Sequence, residues 1–326
     1  AAIYAIAGEQ YARARVLIGM VTSVTALLVY GMCLLLFDRR AVAVLAGLVW
    51  AVLPTGHRLG GILFAESLAA FLLLAGFWLT LYADRRRSLM LAGGAGLLLA
   101  YAVLTRVYLL PAVLGPLAWL LHRRSGRLAA ALACAGLILL GGWSIRNALR
   151  VGTFSLSTQT SSFWLGNNAW ARGSWLGEWT TQMGYIRQRH PEFDQLDEVG
   201  QSRVFVREAV TEVRSHPGRF LRLLPRKAAI FFSPSSYLGL DWVYAALMPF
   251  ILLGGWELIS HRPHHQALWL LAVPVLGVLA LSLLNFGDPR FRHPVDPLLV
   301  VVAAVGMARL GSALMARVPA LRPVGA

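Results

Sequence analysis

Four arginines stand at the ends of apolar stretches, where a guanidinium can reach the surface of a membrane. They are Arg106, Arg146, Arg290 and Arg292. A guanidinium presents its N–H donors as a planar fork that matches the oxygens of a phosphate group. Each arginine taken alone is better explained as the anchor of a helix end. For the four together, we expect a site that binds a lipid phosphate.

One carboxylate, Glu66, lies inside the apolar stretch 59–83. A charged group within a membrane span is costly, so it marks a functional site by default. The pattern places it about two turns from the outer end of that stretch. We take it as a catalytic-site candidate with no role assigned. The alternative is structural, a carboxylate paired with Arg106 or with His57 and Arg58.

Three further polar residues are candidates for substrate contact. Asn167 and Asn168 follow Gly166, and this pattern indicates a turn first and a hydrogen-bonding site second. Asp288 precedes Pro289, where an aspartate also serves as a turn residue. No metal-ligand spacing is present in the sequence. We therefore assign no metal ligands and no certain cofactor, although the use of a divalent metal stays open.

The elements that position these residues are expected to lie in a membrane. The chain has 326 residues, of which 57% are hydrophobic and 14% are charged. A soluble domain averages about 25% charged residues. Nine apolar stretches are candidate spans, namely 16–37, 41–53, 59–83, 88–105, 107–121, 128–145, 240–259, 267–285 and 294–313. We predict an all-α polytopic membrane protein with about nine spans, of which 41–53 and 107–121 are the weakest.

The basic residues indicate how the chain is oriented. Arginine and histidine clusters occur at every second boundary, at 38–40, 84–87, 122–127 and 261–265, and arginines follow the last stretch. Cytoplasmic loops collect such residues, so the remaining loops, including 146–239, are predicted to be external. Nucleic-acid binding is the rival explanation of the net charge of +15, and it is disfavoured because the basic residues punctuate apolar stretches instead of sharing one soluble face.

The chain divides accordingly into four parts. These are a remnant of an external loop (1–15), a transmembrane bundle (16–145), an external soluble domain with interfacial helices (146–239) and C-terminal spans (240–326). In the external domain, 200–215 is predicted to form an amphipathic helix that ends before Pro217. Residues 219–232 are predicted to form a helix in the membrane interface. The N-terminus is then external, which leads us to expect a span upstream of Ala1.

Several short motifs in this order resemble the GT-C glycosyltransferases, in particular the lipid A aminoarabinose transferases, the protein O-mannosyltransferases and their bacterial relatives. The motifs are Pro54 to Glu66-Ser67, Thr105-Arg106, Trp143 to Asn147, Gly166-Asn167-Asn168 with Gly173, His216-Pro217, and Asp288 to Pro294. Each motif is weak alone, and their order and spacing over nearly the whole chain carry the resemblance.

The resemblance implies a GT-C-like helical bundle with one external, periplasmic loop domain of mixed structure, in the cytoplasmic (inner) membrane of a bacterium. It implies inverting transfer of a sugar from a polyprenyl-phosphate-linked donor to a lipid, glycan or protein acceptor on the external face. A carboxylate would act as base on the acceptor hydroxyl, and cations would stabilise the departing phosphate. Membrane lipids are the other expected partners.

One departure from the family concerns the catalytic acid. In the family it lies in the first external loop, of which only Ala1 to Arg15 would be present here. We therefore expect the main catalytic acid upstream of Ala1. The alternatives are a transporter or flippase of lipid-linked sugars and an inactive fragment of the transferase. A transporter would distribute intramembrane charges along a pathway, whereas here they cluster at one face.

Overall fold

A computed structural model of the chain describes residues 10–158, 160–174, 179–236, 239–261 and 265–317. The α-helices are α1 (Tyr11–Phe37), α2 (Arg40–Val52), α3 (Pro54–Gly61), α4 (Ala65–Arg86), α5 (Leu89–Thr105), α6 (Leu114–His122), α7 (Gly126–Val151), α8 (Ser161–Leu165), α9 (Trp179–Arg189), α10 (Glu198–Ser215), α11 (Pro217–Phe231), α12 (Trp242–Ser260), α13 (His265–Leu284), α14 (Pro289–Arg292) and α15 (Asp296–Arg317). Short 3₁₀ helices cover Val107–Val113, Phe193–Gln195 and His293–Val295. A small antiparallel ribbon pairs β1 (Ser235–Ser236) with β2 (Gly239–Leu240).

Among these described residues, six helices are long and apolar enough to cross a membrane. They are α1, α4, α7, α12, α13 and the stretch Pro289–Ala316. A seventh span arises if α2 and α3, which meet at a bend of 44°, are counted as one. Leu89–Thr105 and Val107–His122 are apolar but shorter. The predicted class, an all-α polytopic membrane protein, is confirmed, while the count of nine spans stays a prediction.

The structure differs from the sequence prediction where α4 begins. The stretch 59–83 is not one helix, because α3 ends at Gly61 and α4 starts at Ala65. Leu63 in the connection has a φ of 55°, a left-handed conformation that interrupts a right-handed helix. Glu66 consequently lies in the first turn of α4, whereas the sequence placed it about two turns inside a continuous span. The N-terminal end of a helix dipole favours a carboxylate there.

The other difference is at the end of α7. This helix continues to Val151, six residues beyond the predicted boundary at 145, and ends at Gly152 with a φ of 75°. A glycine in this conformation is a common helix stop, and no such stop occurs at 146. Arg146 therefore lies on the helix itself and not in the loop that follows it.

Charged and polar side chains near the helix ends form two groups, one at each end of α4. At the first end, Glu66 contacts Arg106, which follows α5. At the other end, Asp84 contacts Arg123 and Ser125, which follow α6. The 18 residue steps from Glu66 to Asp84 span about 27 Å, close to the thickness of a bilayer core of about 30 Å. These groups match the loops predicted to be external and cytoplasmic, and their sidedness stays a prediction.

The segment between α7 and α12, named the external segment after the side that the sequence predicts for it, has a hydrophobic core of its own. Trp164 of α8 packs there with Phe205 and Ala209 of α10. The predicted helices at 200–215 and 219–232 are present as α10 and α11. The segment is joined to the end of the bundle by a hydrogen bond in which Gly287 N donates to Gly173 O at 2.7 Å.

Some helix pairs approach so closely that only glycine fits between them. A Cβ on Gly96 of α5 would lie 2.1 Å from the carbonyl oxygen of Leu132 on α7. A Cβ on Gly306 of α15 would lie 2.2 Å from the carbonyl oxygen of Phe250 on α12. Helices in lipid associate through such van der Waals contact, because lipid provides little hydrophobic driving force between them.

Gly96→Ala is expected to destabilise the bundle by about 1–3 kcal/mol, because the backbone of α7 must move. Gly93→Ala on the same helix is the matched control, since its Cβ would meet Ala135 Cβ at 3.9 Å, an ordinary contact. Thermal denaturation of both variants in detergent measures the difference. Equal denaturation temperatures for the two variants would contradict this packing.

Candidate functional site

Glu66 is the centre of a three-residue ionic cluster. Its side chain is 1% exposed. Arg106 Nη2 donates to Glu66 Oε2 at 2.9 Å, and Arg290 Nε lies 3.3 Å from Glu66 Oε1. The structural alternative, a carboxylate paired with Arg106, is therefore confirmed, with Arg290 as a further partner. His57 and Arg58 contact the backbone oxygens of Ala51 and Leu240 instead.

A cavity of about 800 Å³ lies against this cluster. Glu66, Arg106 and Arg290 line one part of it, and Val278 and Leu281 of α13 line another. The size is typical of small-molecule sites, which are clefts of about 300–1,000 Å³ with a few convergent polar groups. A ligand that combines an anionic group with an apolar chain would match both kinds of wall.

Tyr108 is a further residue in the lining of this cavity. Its hydroxyl is buried and has no hydrogen-bond partner among the residues that the structure describes. Its ring packs on Phe291, with 4.9 Å between ring centroids. A buried hydroxyl without a partner costs about 1–3 kcal/mol. Sequence reasoning missed this residue, and its position two residues after Arg106 is the signal that points to it.

The cluster carries a net positive charge, since two guanidiniums face one carboxylate. Arg290 is further held by the ring of Phe64, with 5.4 Å from Cζ to the ring centroid. Its backbone N donates to Asp288 Oδ1 at 2.8 Å, a bond that caps the first turn of α14. Glu66 thus orients both arginines before any ligand binds, and Asp288 fixes the backbone turn that carries Arg290.

Arg292 is placed differently from Arg290, because residues two apart on a helical turn project to different sides. Its side chain is 1% exposed, and its Nε donates to Asp296 Oδ1 at 2.7 Å. Its Nη1 donates to the carbonyl oxygens of Phe231 at 2.8 Å and Ser233 at 3.1 Å. Arg292 does not line the cavity. The structure thus gives this residue a structural position, joining the end of α11 to α15, and not the predicted phosphate contact.

Arg146 also lies outside the cavity lining. It is exposed on α7, its Nη1 donates to Asn147 Oδ1 at 2.8 Å, and it stacks on Trp143 with 5.1 Å from Cζ to the ring centroid. Asn147 Nδ2 in turn donates to the carbonyl oxygen of Ser155 at 2.8 Å, and Ser155 lines the cavity. Arg146 reaches the cavity wall only through Asn147. The structure therefore brings together two of the four predicted arginines.

Asn167 joins the external segment to the end of α13. Its Nδ2 donates to the carbonyl oxygens of Phe163 at 2.7 Å and Leu284 at 2.6 Å. Its Oδ1 accepts from Lys227 Nζ at 2.8 Å, and Lys227 also donates to the carbonyl oxygen of Leu283 at 3.0 Å. Asn167 is 3% exposed, and its polar atoms are used within the protein.

The turn interpretation left open for Asn168 and Asp288 is confirmed. Asn168 Oδ1 accepts from the backbone N of Trp170 at 2.9 Å, and Asp288 Oδ1 accepts in the same way from Arg290 N. Both bonds link a side chain to the backbone two residues ahead, the pattern of an Asx turn. Direct substrate contact by Asn167, Asn168 or Asp288 stays a prediction.

Within the described ranges, no group of three or more His, Cys, Asp or Glu side chains is arranged to hold a metal ion. The use of a divalent metal remains an open expectation of the sequence.

Comparison of the chain with protein-family models, with curated proteins and with solved structures finds no match. The resemblance to GT-C glycosyltransferases therefore depends on the motifs themselves.

Arg292→Met is expected to destabilise the fold by about 3–5 kcal/mol, because it leaves the buried carboxylate of Asp296 without its main partner. Replacing both residues, as Arg292→Met with Asp296→Leu, should recover much of this stability, since no unpaired charge is then buried. Thermal denaturation of the single and double variants in detergent measures both effects. A single variant as stable as the parent protein would contradict the structural position of Arg292.

Lys227 gives a pH-dependent prediction. Burial lowers the pKa of this side chain from its ordinary value of 10.5 to about 8. In the window between these values the unfolded chain binds more protons than the folded one, so this residue should make the protein more stable as the pH rises through it. Lys227 is the only lysine in the chain, so ¹⁵N-lysine labelling yields one side-chain signal to titrate. A midpoint near 10.5 would rule out this environment.

Proposed function

We propose that the chain is an integral membrane glycosyltransferase of the GT-C type, which moves a sugar from a polyprenyl-phosphate-linked donor to a lipid, glycan or protein acceptor on the external face. The observation that carries this proposal is the pair Arg106 and Arg290, held by buried Glu66 at the wall of an 800 Å³ cavity. We assign the donor phosphate to these two arginines.

The composition of the cavity supports a lipid phosphate as the ligand. The two guanidiniums supply N–H donors at one wall. Val278 and Leu281 supply an apolar wall on α13, one of the helices long enough to cross a membrane. A polyprenyl phosphate has both parts, an anionic head for the donors and an isoprenoid chain for the apolar wall.

The chemistry needs positive charge where these arginines lie. The acceptor hydroxyl oxygen attacks the anomeric carbon of the sugar, and the bond from that carbon to the phosphate oxygen breaks with its electron pair going to the phosphate. Negative charge therefore grows on the phosphate in the transition state. Arg106 and Arg290 are oriented beforehand by Glu66, and such preorganised donors stabilise developing charge without reorganisation.

Glu66 is assigned a positioning role. Each of its carboxylate oxygens faces an arginine, and the side chain is 1% exposed, so little of it is open to an acceptor hydroxyl. The hydroxyl proton goes to a general base, which the family resemblance implies in the external loop that precedes α1. We assign that base to none of the described residues.

The test is donor turnover by the full-length protein in proteoliposomes. Supplied with polyprenyl-phospho-sugars, the protein is expected to release polyprenyl phosphate. Arg106→Ala and Arg290→Ala should each lower kcat by about 10²–10³, the usual loss for one donor of this kind. Arg222→Ala is the control, because this exposed arginine of α11 lies outside the cavity lining.

The same vesicles distinguish the transporter alternative. If lipid-linked sugar crosses the bilayer while no donor is consumed, the transferase proposal is wrong. Glu66→Gln should lower donor affinity, because its amide keeps the shape but no longer attracts both guanidiniums. Unchanged donor affinity in all three site variants would remove the cluster from the donor site.

A further inference from the structure

An open groove of about 520 Å³ on the external segment adjoins the cavity. Ser155, Ser157, Thr160 and Val206 line both the groove and the cavity. A molecule that lies along the groove can therefore extend one end into the cavity, beside the arginines assigned to the donor phosphate.

One face of α10 forms a wall of this groove. The lining positions on this helix are 199, 202, 203, 206, 207, 210, 211 and 214. Steps of three and one alternate throughout, which defines a single helix face. The other face carries Val204, Phe205 and Ala209, which are buried in the core of the segment. The helix is thus amphipathic, with its polar face turned to the groove.

The charge on this face is entirely positive. Arg203, Arg207 and Arg214 line the groove and are exposed, and none forms an ion pair within the part of the chain that the structure describes. The described lining of the groove contains no carboxylate. A rise of 1.5 Å per residue places Arg207 about 6 Å from Arg203 and about 10 Å from Arg214 along the axis. This spacing suits a ligand with more than one anionic group.

Two of the three acidic residues of α10, Glu208 and Glu212, are paired elsewhere and do not neutralise these arginines. The third, Glu198, lies in the first turn of the helix and does not line the groove. Glu208 Oε1 lies 3.1 Å from His190 Nε2, and Glu212 Oε1 lies 3.2 Å from Arg219 Nη1. The helix therefore separates its charges, with these two carboxylates turned to neighbouring helices and the three arginines turned to the groove.

The opposite wall of the groove is rich in hydroxyl groups. Thr153, Ser155, Ser157, Thr158 and Thr160 all line it, within one short stretch that follows α7. Hydroxyl side chains both donate and accept hydrogen bonds, which matches the hydroxyls of a sugar. A flat lipid surface would instead be met by large apolar side chains beside the basic ones.

We propose that this groove binds the acceptor, and that the acceptor is a saccharide bearing anionic groups such as phosphate or carboxylate. The arginines of α10 bind the anionic groups, the hydroxyl wall binds the sugar, and continuity with the cavity brings an acceptor hydroxyl to the donor. The role of this saccharide as the acceptor rests on the function proposed above. The binding of an anionic saccharide by the groove does not.

The probe is a sulfated dextran oligosaccharide, compared with neutral dextran of the same length, added to the full chain in phosphatidylcholine nanodiscs. Calorimetry is expected to detect binding of the sulfated form only. Arg203→Ala, Arg207→Ala and Arg214→Ala combined should weaken it about tenfold, since three exposed ion pairs are lost together. The control combines Arg150→Ala, Arg222→Ala and Arg226→Ala, which removes equal charge from exposed positions outside the groove and should weaken binding less than twofold.

Equal losses in the two triple variants would show attraction to net charge alone and overturn the proposal. Groove-dependent binding to phosphatidylglycerol vesicles without binding of the sulfated oligosaccharide would assign the face to a membrane and also overturn it. Polyprenyl phosphate binding, measured in parallel, separates this proposal from the function proposed above. If the donor lipid fails to bind while the groove still selects the sulfated form, the transferase proposal fails and the groove site stands.

Discussion

A carboxylate with 1% exposure is stable only where opposite charge reaches it, and Glu66 meets this requirement from two directions. Arg106 comes from the end of α5 and Arg290 from the turn before α15, so one buried charge holds three elements in register. The break between α3 and α4 helps to meet this requirement, because it places Glu66 in the first turn of α4, at the end of the bundle.

A second buried pair fixes the turn that carries Arg290. Arg292 and Asp296 are each 1% exposed and lie 2.7 Å apart, and Arg292 also binds the carbonyl oxygens at the end of α11. The two arginines of this turn therefore have separate tasks, one within the protein and one at the cavity. Lys227 and Asn167 complete the joint between the external segment and α13, so the cavity wall is held from both sides.

Cavity and groove together form one surface with two kinds of wall. The cavity combines a positive cluster with apolar residues of the bundle, whereas the groove combines arginines with hydroxyls of the external segment. A lipid-linked phosphate matches the walls of the cavity, and an anionic saccharide matches the walls of the groove. Under the proposed function, transfer from a membrane-bound donor to an external acceptor would use these two neighbouring walls.

The membrane class, the apolar helices and the separation of basic loops from the polar external segment followed from the sequence alone, because hydropathy and charge act through composition over many residues. The sequence also identified Glu66, Arg106 and Arg290. Tertiary structure decided which of the four arginines share a site, because this depends on the side of a helical turn: Arg290 faces the cavity, and Arg292, two residues on, faces the protein interior. It likewise decided that Arg203, Arg207 and Arg214 line one groove, since their shared face is defined only once Phe205 and Ala209 pack into a core.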